Sequence, residues 1–211
     1  MQPVDLEDYR GSLCYIGADL GSVDDISAIS VMIPTTDGFV FKTYCFLPAD
    51  RLKDNPNREL YQKFVQEKSL ILTPGNVCDY DYIINKIQEI NNVLQIQGIY
   101  YDKWNATSWA ITLTELGYNM VPFSQAIGNF NAPTKEFERL IKSGEQNITI
   151  AVSANILWQF TNVILKQDWN GNVKPTKDAG LKKIDAIIAM LTALGGYLLS
   201  PSNMDTDIFV L

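Results

Sequence analysis

The chain has 211 residues, 46% of them apolar and 19% charged, with a formal net charge of −7, enough material for one well-packed soluble domain. Histidine is absent, which excludes Ser-His-Asp triads, Cys-His pairs and histidine-based zinc sites and leaves oxygen atoms as the natural ligands of any metal ion. No apolar run reaches the roughly 18 residues of a transmembrane helix, the opening MQPVDLEDYR lacks the apolar stretch of a signal peptide, and Cys14, Cys45 and Cys78 follow no ligand spacing and read as thiols in a reducing compartment.

In chain order, LCYIGADL (13–20) predicts a central strand. After the GSVDD turn, DISAISVMI (25–33) and FVFKTYCFL (39–47) predict two more, joined through PTTDG as a hairpin. The three form an antiparallel meander. PADRLKDNPN reads as a polar connection, and NRELYQKFVQEK (57–68) has helical spacing at Leu60, Phe64 and Val65. LILTPG (70–75) is a short extended piece. DYDYIINKIQEINNVL (79–94) predicts an amphipathic helix with Asp79 as its cap and Ile83, Ile84, Ile87 and Ile90 as its apolar stripe.

GIYYD (98–102) predicts a buried strand ending in an acid, ATSWAITLTELG (106–117) a helix stopped by Gly117, and YNMVPF (118–123) a strand. APTKEFERLIKSG (132–144) predicts a helix with a proline start, SANILWQFTNV (153–163) another helix, and 163–175 a hairpin with Asn170-Gly171 at its tip. KKIDAIIAMLTALGGYLL (182–199) is a strongly apolar helix. No repeat and no long linker divides the chain, so 1–211 predicts a single domain with a core at about 13–199 and a tail, 200–211, that is disordered or docked. A meander followed by β/α units gives an α/β fold: a mixed sheet with helices on both faces.

Three aspartates stand at the end or edge of apolar runs: Asp19 in CYIGADL, Asp102 in GIYYDKWNA and Asp185 in KKIDAIIAML. A charge beside a buried run is costly unless it gains something there. The first strand and the first parallel strand after the meander can lie side by side, which would put Asp19 and Asp102 on neighbouring strands. A C-terminal helix crossing the sheet would then bring Asp185 to the same end. Converging carboxylates suit Mg²⁺ or Mn²⁺, and two such ions can drive phosphodiester hydrolysis. Asp24 and Asp25 sit in a turn, where Asp also serves the local backbone; Asp25 is a secondary candidate ligand. Residues 1–130 carry 9 basic and 16 acidic side chains, whereas 131–184 carry 8 and 5, so a basic region with Lys166, Lys174, Lys177, Lys182 and Lys183 precedes Asp185. No GxxxxGKS or GxxxxGKT phosphate loop occurs. Trp104 and Trp158 read as packing residues.

The stretches TPGNVCDYDYIINKI, IYYDKWNAT and NGNVKPTKDAGLKKIDAIIAMLTALG, with DLGSVDDISA near the start, resemble the nuclease domain of large terminase subunits of tailed bacteriophages. The resemblance runs from about Tyr15 to about Tyr197. It implies a ribonuclease-H-like fold and a metal-dependent endonuclease that cuts concatemeric double-stranded DNA during genome packaging, in the cytoplasm of a bacterial host. Its acidic triad falls on Asp19, Asp102 and Asp185, holding two divalent cations, Mg²⁺ or Mn²⁺. Asp25 matches a recurring acid, Lys174 and Lys177 match basic positions that approach DNA or steady the site, and the neighbouring Lys182 and Lys183 extend the basic region expected to bind DNA. The implied partners are double-stranded DNA, the terminase small subunit and the portal or procapsid, with no membrane. Many relatives carry a His and an Asn-Pro where this chain has ITIAVSANILW, with Ser153-Ala154 at the Asn-Pro position. The family's ATPase half has no counterpart here, which predicts a fragment or a prophage remnant. Rival readings are a recombinase or junction resolvase of the same fold, and a non-catalytic module that docks DNA or capsid.

Overall fold

The computed structural model describes residues 4–21, 26–103, 107–143, 147–178 and 180–200. Asp24, Asp25, Trp104, Asn105 and the tail from 201 onward lie outside the described residues. A 3-10 turn, Leu6–Tyr9, precedes the meander of β1 (Leu13–Asp19), β2 (Ser27–Thr35) and β3 (Gly38–Pro48). Then come α1 (Ala49–Lys53), α2 (Arg58–Gln66), β4 (Ile71–Thr73), α3 (Tyr80–Asn91), β5 (Gln95–Tyr101), α4 (Thr107–Glu115), β6 (Met120–Pro122) and α5 (Ile127–Lys142). The chain continues through β7 (Ile148–Ile150), α6 (Ala154–Thr161), β8 (Val163–Gln167), β9 (Val173–Lys177) and α7 (Asp185–Leu198).

The main sheet has seven strands in the order β4-β3-β2-β1-β5-β6, with β7 also on β3. The meander is antiparallel, while β5 runs parallel to β1 and β6 parallel to β5. This mixed α/β arrangement is the expected ribonuclease-H-like one. Strands β4 and β7 share the outer edge of β3, at Phe46–Pro48 and Phe39–Phe41 respectively, both parallel to it. β7 is unanticipated by the sequence, because three residues are too few to show an alternation. β8 and β9 form a separate two-stranded hairpin, with Gly171 at φ 78° in its tip, as the Asn-Gly pair predicts.

Alternation along the strands sorts the core into two layers. Cys14, Ile16, Ala18, Ile99 and Tyr101 face one side and pack with Ile83, Ile87, Trp109 and Leu113 from α3 and α4. Tyr15, Ala28, Met32, Cys45 and Tyr100 face the other, where α7, α5, α2 and α6 lie. Asp79 caps α3 through Asp81 N–H, as predicted. Trp158 packs its ring against Tyr61 and Phe64.

Two boundaries differ from expectation. PADRLKDNPN contains a short helix, α1. The helix expected to start at Pro133 begins at Ile127, with the proline inside it. Phe130, Thr134, Phe137 and Leu140 are all buried, so the apolar stripe holds its helical phase across Pro133 and outweighs the one backbone bond the proline forfeits.

Helix α7 is buried from Asp185 through Gly196, and it sits directly on β1. A Cβ added at Gly17 would stand 2.1 Å from the Ala189 carbonyl oxygen and 2.3 Å from the Ala193 nitrogen. One added at Gly196 would stand 2.3 Å from the Tyr100 ring, and at Gly195 2.4 Å from Phe123. Gly17 of GADLGS and both glycines of ALGGYL thus serve close packing around α7. Because backbone atoms cannot swing aside as side chains can, Gly17→Ala is expected to lower unfolding free energy by about 2 kcal/mol or more, measured by urea denaturation, whereas Gly128→Ala, with open space around it, is expected to leave the fold intact.

Candidate active site

Asp19 ends β1, and Asp102 immediately follows β5. Across this parallel pair Leu13 is level with Gln95 and Cys14 with Ile96, but Tyr15 is level with Gly98, so Gln97 is an extra residue on β5. Its spare carbonyl accepts from Asn119 Nδ2 at 3.1 Å. From that bulge onward Ala18 is level with Tyr101, which makes Asp19 and Asp102 the next residues on adjoining chains. Neighbouring strands lie about 4.8 Å apart. Both acids fall two residues beyond residues of the α7 face, Gly17 and Tyr100, and so share that face.

Asp185 reaches the same end through the direction of α7. Tyr15 meets Tyr197 edge-on with ring centroids 5.2 Å apart, while Gly17 lies under Ala189 and Ala193. Moving along β1 toward its C-terminal end therefore runs backward along α7. The next residue of β1 on that face is Asp19, and the first residue of α7 is Asp185, itself buried. Cys45 gives an independent bearing. It is level with Ala28, which is level with Asp19. Its thiol is pushed up from an ordinary 9.0 to about 12, first by burial and then by the negative charge of Asp185.

The start of α7 is held by buried amides. Gln159 Oε1 accepts from the Ala186 N–H at 2.8 Å, and Gln159 Nε2 donates to Asn155 Oδ1 at 3.0 Å. Asn155 Nδ2 donates in turn to the Ser69 carbonyl at 2.8 Å, and Asn162 Nδ2 to the Lys183 carbonyl at 3.0 Å. Ser153, at the unusual Ser153-Ala154 position, caps α6 through the Ile156 N–H. Helix α6 thus anchors the turn that carries Asp185, a role that its composition does not announce, because a polar residue on an apolar helix looks the same whether it meets water or a helix end.

A fourth side chain joins the acids. Gln125, in the loop after β6, donates from Nε2 to Asp19 Oδ1 at 2.9 Å, and its carbonyl accepts from Lys174 Nζ at 2.8 Å. A cleft of about 220 Å³ opens beside Asp102, lined also by Lys103, Pro122, Phe123, Ser124 and Asn129. Of the predicted lysines, Lys174 is drawn into this region. Lys177 ends β9, opposite Val163 at the base of the hairpin. Lys182 stands 3.9 Å from the Asp178 carboxylate, and Lys183 lies two residues before Asp185. Asp25 lies outside the described residues.

The acidic donors are of the type that hard divalent cations prefer. Among the described residues no three Asp, Glu or Cys side chains are already gathered tightly enough to hold a metal ion; what the fold supplies is three carboxylate-bearing chain positions at one end of the sheet, with an amide on one of them. Among the described residues no helix is long and apolar enough to cross a membrane.

A sequence profile described as terminase large subunit, endonuclease domain, matches residues 2–200. Protein YmfN of Escherichia coli K12 is 27% identical over 210 residues, covering 92% of this chain and 45% of that protein. The large terminase subunit of Enterobacteria phage HK97 is 24% identical over 187 residues, covering 86% and 36%. The crystal structure of the HK97 large terminase superposes with a TM-score of 0.79 at 20% identity, covering 92% of this chain and 43% of that one. The large terminase nuclease of thermophilic phage G20c with bound magnesium superposes at 0.55 and 14% identity, covering 87% and 80%. The chain spans less than half the length of the curated relatives it matches.

Two outcomes follow from the buried groups. Gln159→Leu removes an acceptor from a buried helix-start N–H and a donor from Asn155, and is expected to cost about 1–3 kcal/mol by chemical denaturation. Cys14 and Cys45 thiols are both raised to about 12 by burial. Their contribution to stability is therefore fully present below the unfolded value of about 9 and is lost as pH rises toward about 12. Melting temperature should fall steeply over that interval, and less steeply in Cys45→Ala.

Proposed function

The chain belongs to the terminase large subunit endonuclease family, and on that premise we propose that it is a metal-dependent endodeoxyribonuclease that cuts concatemeric double-stranded phage DNA during genome packaging. The observation that carries this reading is the levelling of Asp19 with Asp102 across the bulged β1–β5 pair, with α7 returning Asp185 to the same end. Asp19, Asp102 and Asp185 are the catalytic residues in this reading and would hold two divalent cations, Mg²⁺ or Mn²⁺, with Asp25 as an additional ligand. When bound, those ions supply Lewis-acid activation of water and neutralise charge developing on the phosphate.

The protein's own part is to fix the carboxylates and to exclude bulk water from one side. Asp185 enters from a buried helix start, so its carboxylate position is set by packing rather than by a flexible loop. Asp19 is restrained by the Gln125 amide. In this reading Lys177, Lys182 and Lys183, on the hairpin end and the approach to α7, would meet flanking phosphates, which orient DNA without reading its bases. A net charge of −7 confines DNA to such a local basic region. Residues 13–199 would act as one nuclease core. Small subunit and portal or procapsid contacts belong to the whole packaging assembly and its host cytoplasm.

The test is plasmid and linear-duplex cleavage in Mg²⁺ or Mn²⁺ by the parent and by Asp19→Asn, Asp102→Asn and Asp185→Asn. Each variant should lose more than about 100-fold in rate, since even residues outside the ligand shell of a metal site cost about 10–100-fold, with an unaltered circular dichroism spectrum. Parental activity in Asp102→Asn would refute the assignment. Preference for four-way junctions over linear duplex would move the chain to the resolvases.

A further inference from the structure

The sequence leaves Lys174 two roles, contact with DNA or steadying of the site, and its surroundings favour the second. Its Nζ donates to the Gln125 carbonyl at 2.8 Å and lies 5.8 Å from the centroid of the Phe130 ring. Phe130 is fully buried and packs edge-on against Phe123 at 5.7 Å. The strand that carries the lysine is tied down beside it, because the Val173 N–H donates to Asn131 Oδ1 at 3.1 Å. The ammonium is thus turned inward over α5, onto the backbone of the residue whose side chain holds Asp19.

We propose that Lys174 and Gln125 form a positioning relay for Asp19: Lys174 fixes the Gln125 backbone, and the Gln125 Nε2 amide orients the Asp19 carboxylate. The inference rests on the metal-dependent nuclease reading of the same site and assigns Lys174 to that site's geometry instead of to DNA phosphate. The relay exists only because three loosely connected pieces, the loop after β6, the start of α5 and the β8–β9 hairpin, meet beside the end of β1. A carboxylate has two equivalent oxygens and rotates freely about its last bond, so an amide donor on one of them selects a single orientation. Such outer donors to a metal-ligating carboxylate characteristically set metal affinity. The long-range effect of the lysine's charge is secondary; the fixed hydrogen bond is what a point charge elsewhere would not supply.

The experiment compares the parent with Gln125→Ala, Lys174→Met and the double variant, all as the full chain. Two measurements avoid catalysis: calorimetric titration with Mg²⁺ or Mn²⁺ without DNA, and binding of a fluorescent duplex in EDTA at several salt concentrations. Each single variant should weaken cation binding about 10-fold, and the double variant should be no weaker than the worse single, since the two residues act in series. Duplex affinity and its salt slope should stay parental. In the metal-free protein the Gln125 side-chain amide resonance, identified by its loss in Gln125→Ala, should move in Lys174→Met and in Asp19→Asn; this readout shows whether the relay forms even if a variant is less stable.

Parental cation affinity in Lys174→Met, or an unmoved Gln125 resonance, overturns the relay and leaves the nuclease reading standing. A fall in duplex affinity with the salt slope reduced by about 1 would make Lys174 a phosphate ligand and also overturn it. A parent that binds no divalent cation overturns the nuclease reading, and the relay's role with it.

Discussion

The contact between Gly17 and the backbone of α7 governs the molecule. Nothing larger than hydrogen fits between β1 and the Ala189–Ala193 turn, so the helix lies flat on the sheet and loses almost all solvent contact over its first three turns. A helix apolar on every side has no preferred face of its own. Here the small residues choose the face: Gly17 on the strand, with Gly195 and Gly196 admitting Phe123 and Tyr100 on the helix. Once that seam closes, the direction of α7 brings its first residue to the C-terminal end of β1, and Asp185 has no freedom to be elsewhere.

A second constraint sits at the other end of the same strand pair. Without the extra residue at Gln97, Asp19 would be level with Tyr101, whose side chain belongs to the α3–α4 face, rather than with Asp102. The bulge advances the pairing by one and brings two acids level on one face; a one-residue change of register alters which side chains meet. The bulge and the acids are about five residues apart, which is why bulge geometry and site chemistry look unrelated along the chain.

Polar groups in the interior are spent on holding these elements in phase. Asn155 and Gln159, both without solvent exposure, bond the onset of α7 and the chain before β4 to α6. Buried amides of this kind are stable only when every donor finds an acceptor, so they specify how α6, α7 and β3 dock more sharply than apolar contacts would. Gln125 and Lys174 apply the same economy on the more open side of the acids, where the Gln125 amide bonds Asp19 Oδ1 and its carbonyl accepts from Lys174.

Much was legible in the chain itself. Period-2 and period-3.6 apolar patterns located the meander, the Asp79-capped helix, the Asn-Gly hairpin and the final apolar helix, because those patterns are set by local geometry. The absence of histidine and the three aspartates at the margins of apolar runs pointed to oxygen-ligand chemistry, and the quoted stretches carried the family resemblance. What the tertiary structure alone decided is everything that depends on two distant segments touching: the three-residue β7, the early start of α5 around a buried Phe130, the bulge that levels Asp19 with Asp102, and the inward turn of Lys174 onto Gln125. Side-chain type records what a residue can do; only packing determines which neighbour it does it to, since a lysine, a glutamine or a glycine reads alike in sequence whether it faces water, a carboxylate or the backbone of a helix.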